Sequence, residues 1–159
     1  MANFNQDIMD QIEGVDDLLI VTLASVKGPI VAEIKKRIRA GFGVADDTNE
    51  VSTKETLAPL SEEYRKHRGK SKLSPNASAN KSNLTFTGQM LRSIISRVSG
   101  DVLTIFFANA SANQKAEWVS KDRPFFSLTK EEEQFILDHT DKILDEYLNT
   151  LKDTSKVVK

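Results

Sequence analysis

The sequence predicts an α+β fold: a long kinked N-terminal helix, a small antiparallel sheet that includes a β-hairpin, a flexible basic loop, and a C-terminal helix packed on the sheet. Three observations carry this. Apolar residues from Phe4 to Ile38 recur every three or four positions, the spacing of one helical face. The β-branched and aromatic run Val102 to Ala108 follows the turn formers Ser99, Gly100 and Asp101, the pattern of a hairpin. Thr129 and Glu132 form the Ser/Thr-x-x-Glu box that opens a helix.

The N-terminal stripe consists of Phe4, Ile8, Ile12, Val15, Leu19, Leu23, Val26, Ile30, Ile34 and Ile38. Gly28 and Pro29 interrupt it, and because proline has no amide donor a kink or a restart is expected there. Between Gly41 and Thr56 the turn formers Gly41, Gly43, Asp46, Asp47 and Asn49 predict a loop. A short helix follows: Ser61 can cap it, Glu62 and Glu63 suit its positive end, Arg65, Lys66 and Arg68 suit its negative end, and Gly69 stops it. Residues 70–83 have almost nothing to bury and read as a flexible segment. Thr87-Gly88 predicts a sharp turn with positive φ at the glycine, leading through Met90–Ser93 into a hairpin of Ile94, Ile95, Val98 and the run 102–108. Asn109 to Asp122 is a polar segment, and its Asn109, like Asn76, Asn80 and Asn83, reads as a polar loop residue despite a following Ser or Thr two positions on. Arg123-Pro124 fixes an extended approach, Phe125 and Phe126 can anchor the last helix, and Ile136, Ile143, Leu144, Tyr147, Leu148 and Leu151 give that helix an apolar face. The whole reads as one domain, 1–159, with a helical arm at 1–40, a loop at 69–83, sheet plus helix at 84–151, and a frayed tail at 152–159.

Composition limits what such a chain does. At 159 residues with 39% hydrophobic content there is one modest core. The 22 Lys and Arg nearly cancel the 23 Asp and Glu, so no overall basic field drives non-specific nucleic-acid binding. The absence of cysteine excludes disulfides and thiolate metal sites. No apolar run approaches the roughly 20 residues of a membrane span, and the start of the chain lacks a signal-peptide pattern, so a soluble protein without membrane contact is expected.

Enzymatic chemistry finds little to build on. His67 sits in a basic run, and His139 lies near Asp138 and Asp141 without the spacing of a metal site. Gly41-x-Gly43 lacks the strand, third glycine and helix of a dinucleotide site, and no Walker-type loop is present. No catalytic, cofactor-binding or metal residue is assigned. Glu131, Glu132 and Glu133 occupy a first helical turn, where the dipole favours them.

Three segments, in order, resemble the phage virion-morphogenesis family of head-tail connector, neck and tail-completion proteins. Leu60, Ser61, Tyr64, Arg65 and Arg68 resemble the family's short basic helix. Leu84, Thr87, Gly88, Leu91, Ser93 and Ile94 resemble its lead-in to the sheet, and Arg123, Pro124, Phe125, Phe126, Ser127 and Leu128 before an acidic helix resemble its closing segment. The resemblance covers roughly residues 57–151, and Phe107, Ala108, Asn113 and Gln114 are weaker echoes. One departure is that no glycine follows Gly100, where related chains carry one shortly before Arg-Pro-Phe. The resemblance implies a non-enzymatic virion subunit, assembled in the bacterial cytoplasm into a closed ring of six or twelve copies in the neck. Its partners would be the portal or a head-side adaptor on one side and the tail terminator or tail tube on the other.

Candidate subunit or partner contacts are Arg65, Arg68, Lys70 and Lys72 in the basic segment, Trp118 as a lone aromatic anchor, Arg123, Phe125 and Phe126, and Glu131 and Glu132. Residues 61–81 hold six Lys or Arg against two acids, whereas 130–153 hold eight acids against three Lys. In a head-to-tail ring, opposite patches set the order of subunits, so the basic segment is expected to reach the next subunit's acidic helix. Phage DNA, or a nucleic-acid-binding regulatory or packaging role, is the competing use of the same bases. Reversing Arg65, Arg68 and Lys70 should impair assembly more than monomer folding; rings that stay intact at moderate salt in electron micrographs would contradict the charge contact.

Overall fold

The computed structural model describes residues 4–46, 51–70, 82–84 and 88–156, with side chains placed from Leu18 to Tyr147 within those ranges and at Asn149. It is an α+β fold whose described residues form five helices and two separate antiparallel pairs of strands. Helix α1 is Phe4–Arg39, strands β1 and β2 are Phe42–Val44 and Lys54–Thr56, and α2 is Glu62–Lys70. Then come α3 (Gln89–Arg92), β3 (Ile94–Ser99), β4 (Val102–Phe107), α4 (Ala110–Ser120) and α5 (Lys130–Lys156).

Helix α1 does not restart at Pro29; it continues through it. Gly28 explains the tolerance, since it carries no Cβ to collide with the ring of the following proline, the collision that keeps other residues out of helical geometry. The backbone there also gains an outside partner, because the Ser96 hydroxyl donates to the Lys27 carbonyl at 2.7 Å. The predicted apolar stripe is buried from Val26 onward, at Ile30, Ile34 and Ile38. One turn earlier Thr22 is also buried, at 2%, whereas Leu19, Ile20 and Val21 beside it are exposed, Leu19 by 41%.

The hairpin forms as predicted, with Ile94 opposite Phe107 and Ser99 opposite Val102 across a two-residue turn. Period-two alternation sends Ile94 and Phe107 into the core and leaves Ile95, Arg97, Val102 and Thr104 outside. Gly88 has the expected positive φ, 65°. Met90–Ser93 closes into the single helical turn α3, burying Met90 and Leu91.

Several segments differ from expectation. The predicted loop 41–56 contains β1 and β2, paired with Phe42 opposite Thr56. Strands of three residues have no periodicity to read, and these are fixed by distant partners: Val44 N–H donates to the Pro124 carbonyl and Ser52 N–H to the Leu128 carbonyl. The polar segment after Asn109 is helix α4. Asn109 is its N-cap, accepting from the Ala112 amide at 2.8 Å, and the helix buries only Ala112 and Ala116, residues too small to mark an apolar face. Helix α2 includes Gly69 and ends at Lys70, and α5 reaches Lys156 rather than ending near 151. The predicted flexible loop lies mostly outside the described residues. Helix α5 rests chiefly on α1, and α1 in turn packs on the hairpin, so the C-terminal helix joins the sheet through α1 rather than covering it directly.

The core is Ile30, Ile34 and Ile38 of α1 with Leu57, Leu91, Ile94, Phe107 and Phe125. Phe107, Phe125 and Phe126 form an aromatic triangle with centroids 4.5–6.4 Å apart, within the range of favourable ring contacts. Gly43 lets the Phe125 segment come this close: a Cβ there would collide with the Pro124 carbonyl oxygen and lie 2.7 Å from Leu57 Cδ2. Gly43→Ala should therefore cost about 1–3 kcal/mol of overpacking strain, read as a lowered urea midpoint with the m-value unchanged.

Candidate functional site

The segment from Arg123 to Thr129 is an irregular strap laid through the core. Its backbone has no ladder of its own, so its buried carbonyls must find donors elsewhere. They do. Pro124 O and Leu128 O accept from the Val44 and Ser52 amides, while Phe125 O and Ser127 O both accept from Arg37 Nη2, at 3.2 and 2.9 Å. Arg37 Nε completes the arrangement by donating to Glu132 Oε1 at 2.7 Å. Both side chains of this ion pair are almost fully buried, 5% and 6% exposed.

Each partner sits where its helix favours it. Arg37 is in the last turn of α1 and Glu132 in the first turn of α5, so each charge faces the opposite end of a helix dipole. Glu132 also performs the predicted capping: its Oε2 accepts from the Thr129 amide at 3.0 Å, and the Thr129 hydroxyl accepts from the Glu132 amide at 3.3 Å. Beside the pair is a hollow of about 330 Å³ walled by Phe42 and Phe135, with Lys36, Lys54, Glu33 and Glu131 at its rim. Its rim carries both signs of charge. The exposed Glu131 carboxyl is held below the usual carboxylate range, first by its own backbone amide and then by the Thr129 hydroxyl, with Lys54 adding a smaller pull.

The candidate contact residues divide into two sets. Arg68, Phe125 and Glu132 are buried, at 3%, 0% and 5% exposure, and offer no surface to a neighbour, so reversing the charge of Arg68 would disturb the fold itself and only the reversals at Arg65 and Lys70 test an assembly contact. Arg68 donates to Asn83 Oδ1, and burial pulls its guanidinium below the ordinary arginine value against an opposing effect of Tyr64. Phe126 is half-buried, its ring tilted by 35° against that of Phe107 at 4.5 Å between centroids. Arg123 is a clamp within the chain, its Nε donating to Ala58 O and its Nη2 to Pro59 O at 3.2 and 3.3 Å. On the outside are Arg65 and Lys70 on α2, Glu131, and Trp118, which at 73% exposure is the most solvent-exposed large apolar side chain among the described residues. Lys72 lies outside the described residues.

Sequence reasoning missed Arg37. It is one of five bases between Lys27 and Arg39, and its carboxylate partner is 95 positions away, so no local pattern distinguishes it. It also missed the exposure of Leu19, Ile20 and Val21, although these stand in an unbroken aliphatic run.

Among the described residues no group of three or more His, Asp and Glu is placed to hold a metal ion, and no helix is long and apolar enough to cross a membrane. Compared with protein-family models, curated proteins and solved structures, the chain matches none.

Removing one member of a buried ion pair strands the other, whereas replacing both with apolar groups does not. Arg37→Met should lower unfolding free energy by about 3–5 kcal/mol, and Arg37→Met combined with Glu132→Met should recover part of that loss. Chemical denaturation of the two single variants and the double variant checks it; simple additivity would mean that the pair is uncoupled.

Proposed function

We propose that this chain is a structural, non-enzymatic subunit of a tailed-bacteriophage particle, one copy of a closed ring in the neck. The ring, of six or twelve copies, joins the portal or head-side adaptor to the tail terminator or tail tube. The observation that carries this reading is the distribution of side chains. Phe125 and an ion pair are held inside, while Leu19, Ile20, Val21, Val102, Leu137 and Trp118 are left outside, each more than 40% exposed. Leu19 and Ile20 border one hollow with the hairpin turn at Gly100 and Asp101; grouped apolar exposure of this kind marks contacts with other proteins, and tryptophan is enriched at the energetic centres of such contacts. The order of basic helix, glycine turn, hairpin and Arg-Pro-Phe strap, which resembles neck proteins, gives those contacts their setting.

The second reading, a nucleic-acid-binding regulatory or packaging protein, draws on the exposed Arg65 and Lys70 of α2. It is weaker because the same helix carries Glu62 and Glu63, and Glu62 already pairs with Lys66 at 2.8 Å.

Electron microscopy and mass measurement of the purified protein, alone and mixed with the portal and tail-terminal proteins encoded beside it, test the proposal. Rings, or incorporation at the head-tail joint, are expected. A persistent monomer that ignores those proteins and binds DNA with a steep salt dependence would replace the neck reading with the regulatory one.

A further inference from the structure

Strand β4 presents an open edge. Its sheet has only two strands, β3 and β4. In an antiparallel ladder, facing pairs alternate between those that exchange hydrogen bonds and those whose backbone groups turn outward. The Ala108 amide donates to the Ser93 carbonyl at 2.7 Å, which fixes the phase of the hairpin. Ile95 and Phe106, Arg97 and Thr104, and Ser99 and Val102 therefore bond each other, while the amides and carbonyls of Leu103 and Ile105 point away from β3. Among the described residues no backbone group meets them.

Nothing on β4 guards that edge. Proteins keep free strands from pairing by means of charge, proline or a bulge. Val102–Phe107 reads Val-Leu-Thr-Ile-Phe-Phe, with no charged residue and no proline, and its register against β3 runs without a bulge. The β3 edge differs in carrying Arg97, whose guanidinium lies over the Phe106 ring at 5.8 Å. Beside Ile105 there is also an apolar hollow of about 90 Å³ bounded by Ile34, Phe126 and Leu128. Outward amides and carbonyls take up an extended backbone, and a hollow beside them takes one of its alternate side chains. The complementary partner is thus an extended, uncharged strand with aliphatic residues at alternate positions. Strand β4 itself has that composition, with Leu103 and Ile105 on one face.

We infer that β4 is the seat of a two-fold contact, in which the β4 strands of two copies of this chain pair antiparallel about Ile105 and merge two hairpins into one four-stranded sheet. Around that centre the outward groups of Ile105 bond those of its counterpart, and those of Leu103 bond Phe107 of the second copy. On the outer face the exposed Thr104 lies opposite the half-buried Phe106 of the second copy, a pairing of β-branched and aromatic side chains that stabilises sheets. Such a contact uses the same patch twice, and a strand without charge meets no repulsion from its own copy. The inference does not rest on the neck reading, because a two-fold pair is a contact of the free protein and a ring requires a different, heterologous one.

Two measurements on the full chain test it. The chain has no cysteine, so introduced thiols report register without background. Thr104→Cys and Phe106→Cys variants, mixed under mild oxidation, should give the mixed disulfide dimer several-fold above either homodimer and above Thr104→Cys mixed with the exposed control Ser111→Cys. In the unsubstituted protein, which cannot fail by misfolding of a variant, amide hydrogen exchange at Leu103 and Ile105 should slow several-fold as protein concentration rises. Exchange at Thr104 and Phe106, already bonded to β3, should be slow at every concentration. Fast exchange at Leu103 and Ile105 throughout, or slow exchange there in a protein that sediments as a monomer, overturns the inference. So does a mixed disulfide yield no higher than the control, or a dominant Thr104→Cys homodimer, which would mean another register.

Discussion

Arg37 ties the molecule together because an irregular segment has been placed where regular structure would normally be required. The strap from Arg123 to Thr129 brings Phe125 to full burial, but its carbonyls enter the core with it, and each would cost on the order of 1–3 kcal/mol if left without a donor. A guanidinium meets this need better than an ammonium, since its planar fork donates in several fixed directions at once. Here one nitrogen serves two strap carbonyls while another holds Glu132. The end of α1, the strap and the start of α5 are thereby fixed as a unit, and β1 and β2 find their places against it through Val44 and Ser52.

This dependence explains which parts of the fold were legible in the sequence. The stripe of α1, the hairpin around Gly100 and the Thr129–Glu132 box are local patterns, each set by residues within a few positions of one another, and the structure has all three. Strands β1 and β2 were not legible because nothing local dictates them; a three-residue strand centred on Gly43 exists only where the strap passes. Helix α4 was hidden for another reason, since its buried face is made of alanines, and its one strong signal, the capping Asn109, looks the same in a loop. For the candidate contacts, sequence identified residue types but not depth. Arg68 and Arg65 are equivalent in a charge count, yet one is buried against Asn83 and the other is in solvent.

The same distinction changes how charge can organise an assembly. Counting residues places the strongest acidic field on α5, but that count includes Glu132, whose charge is already met by Arg37 and by the Thr129 amide. Glu131 next to it is drawn toward its own helix end. Of the first-turn acids of α5 only Glu132 is buried inside the subunit; Glu131 and Glu133 remain exposed. The stretch from Phe4 to Val26 has five acids and no Lys or Arg, so no base of its own stretch offsets them.

Steering alone does not hold a complex, because exposed ion pairs contribute about 0–1 kcal/mol each and weaken with salt. Firm association needs apolar area as well, and the arm is where both requirements coincide: aliphatic residues at 19–21 directly follow the acidic residues at 16 and 17. Trp118, 73% exposed on α4, is a second large apolar element at the surface. The buried Arg37–Glu132 pair holds the end of α1 and the start of α5 in fixed register.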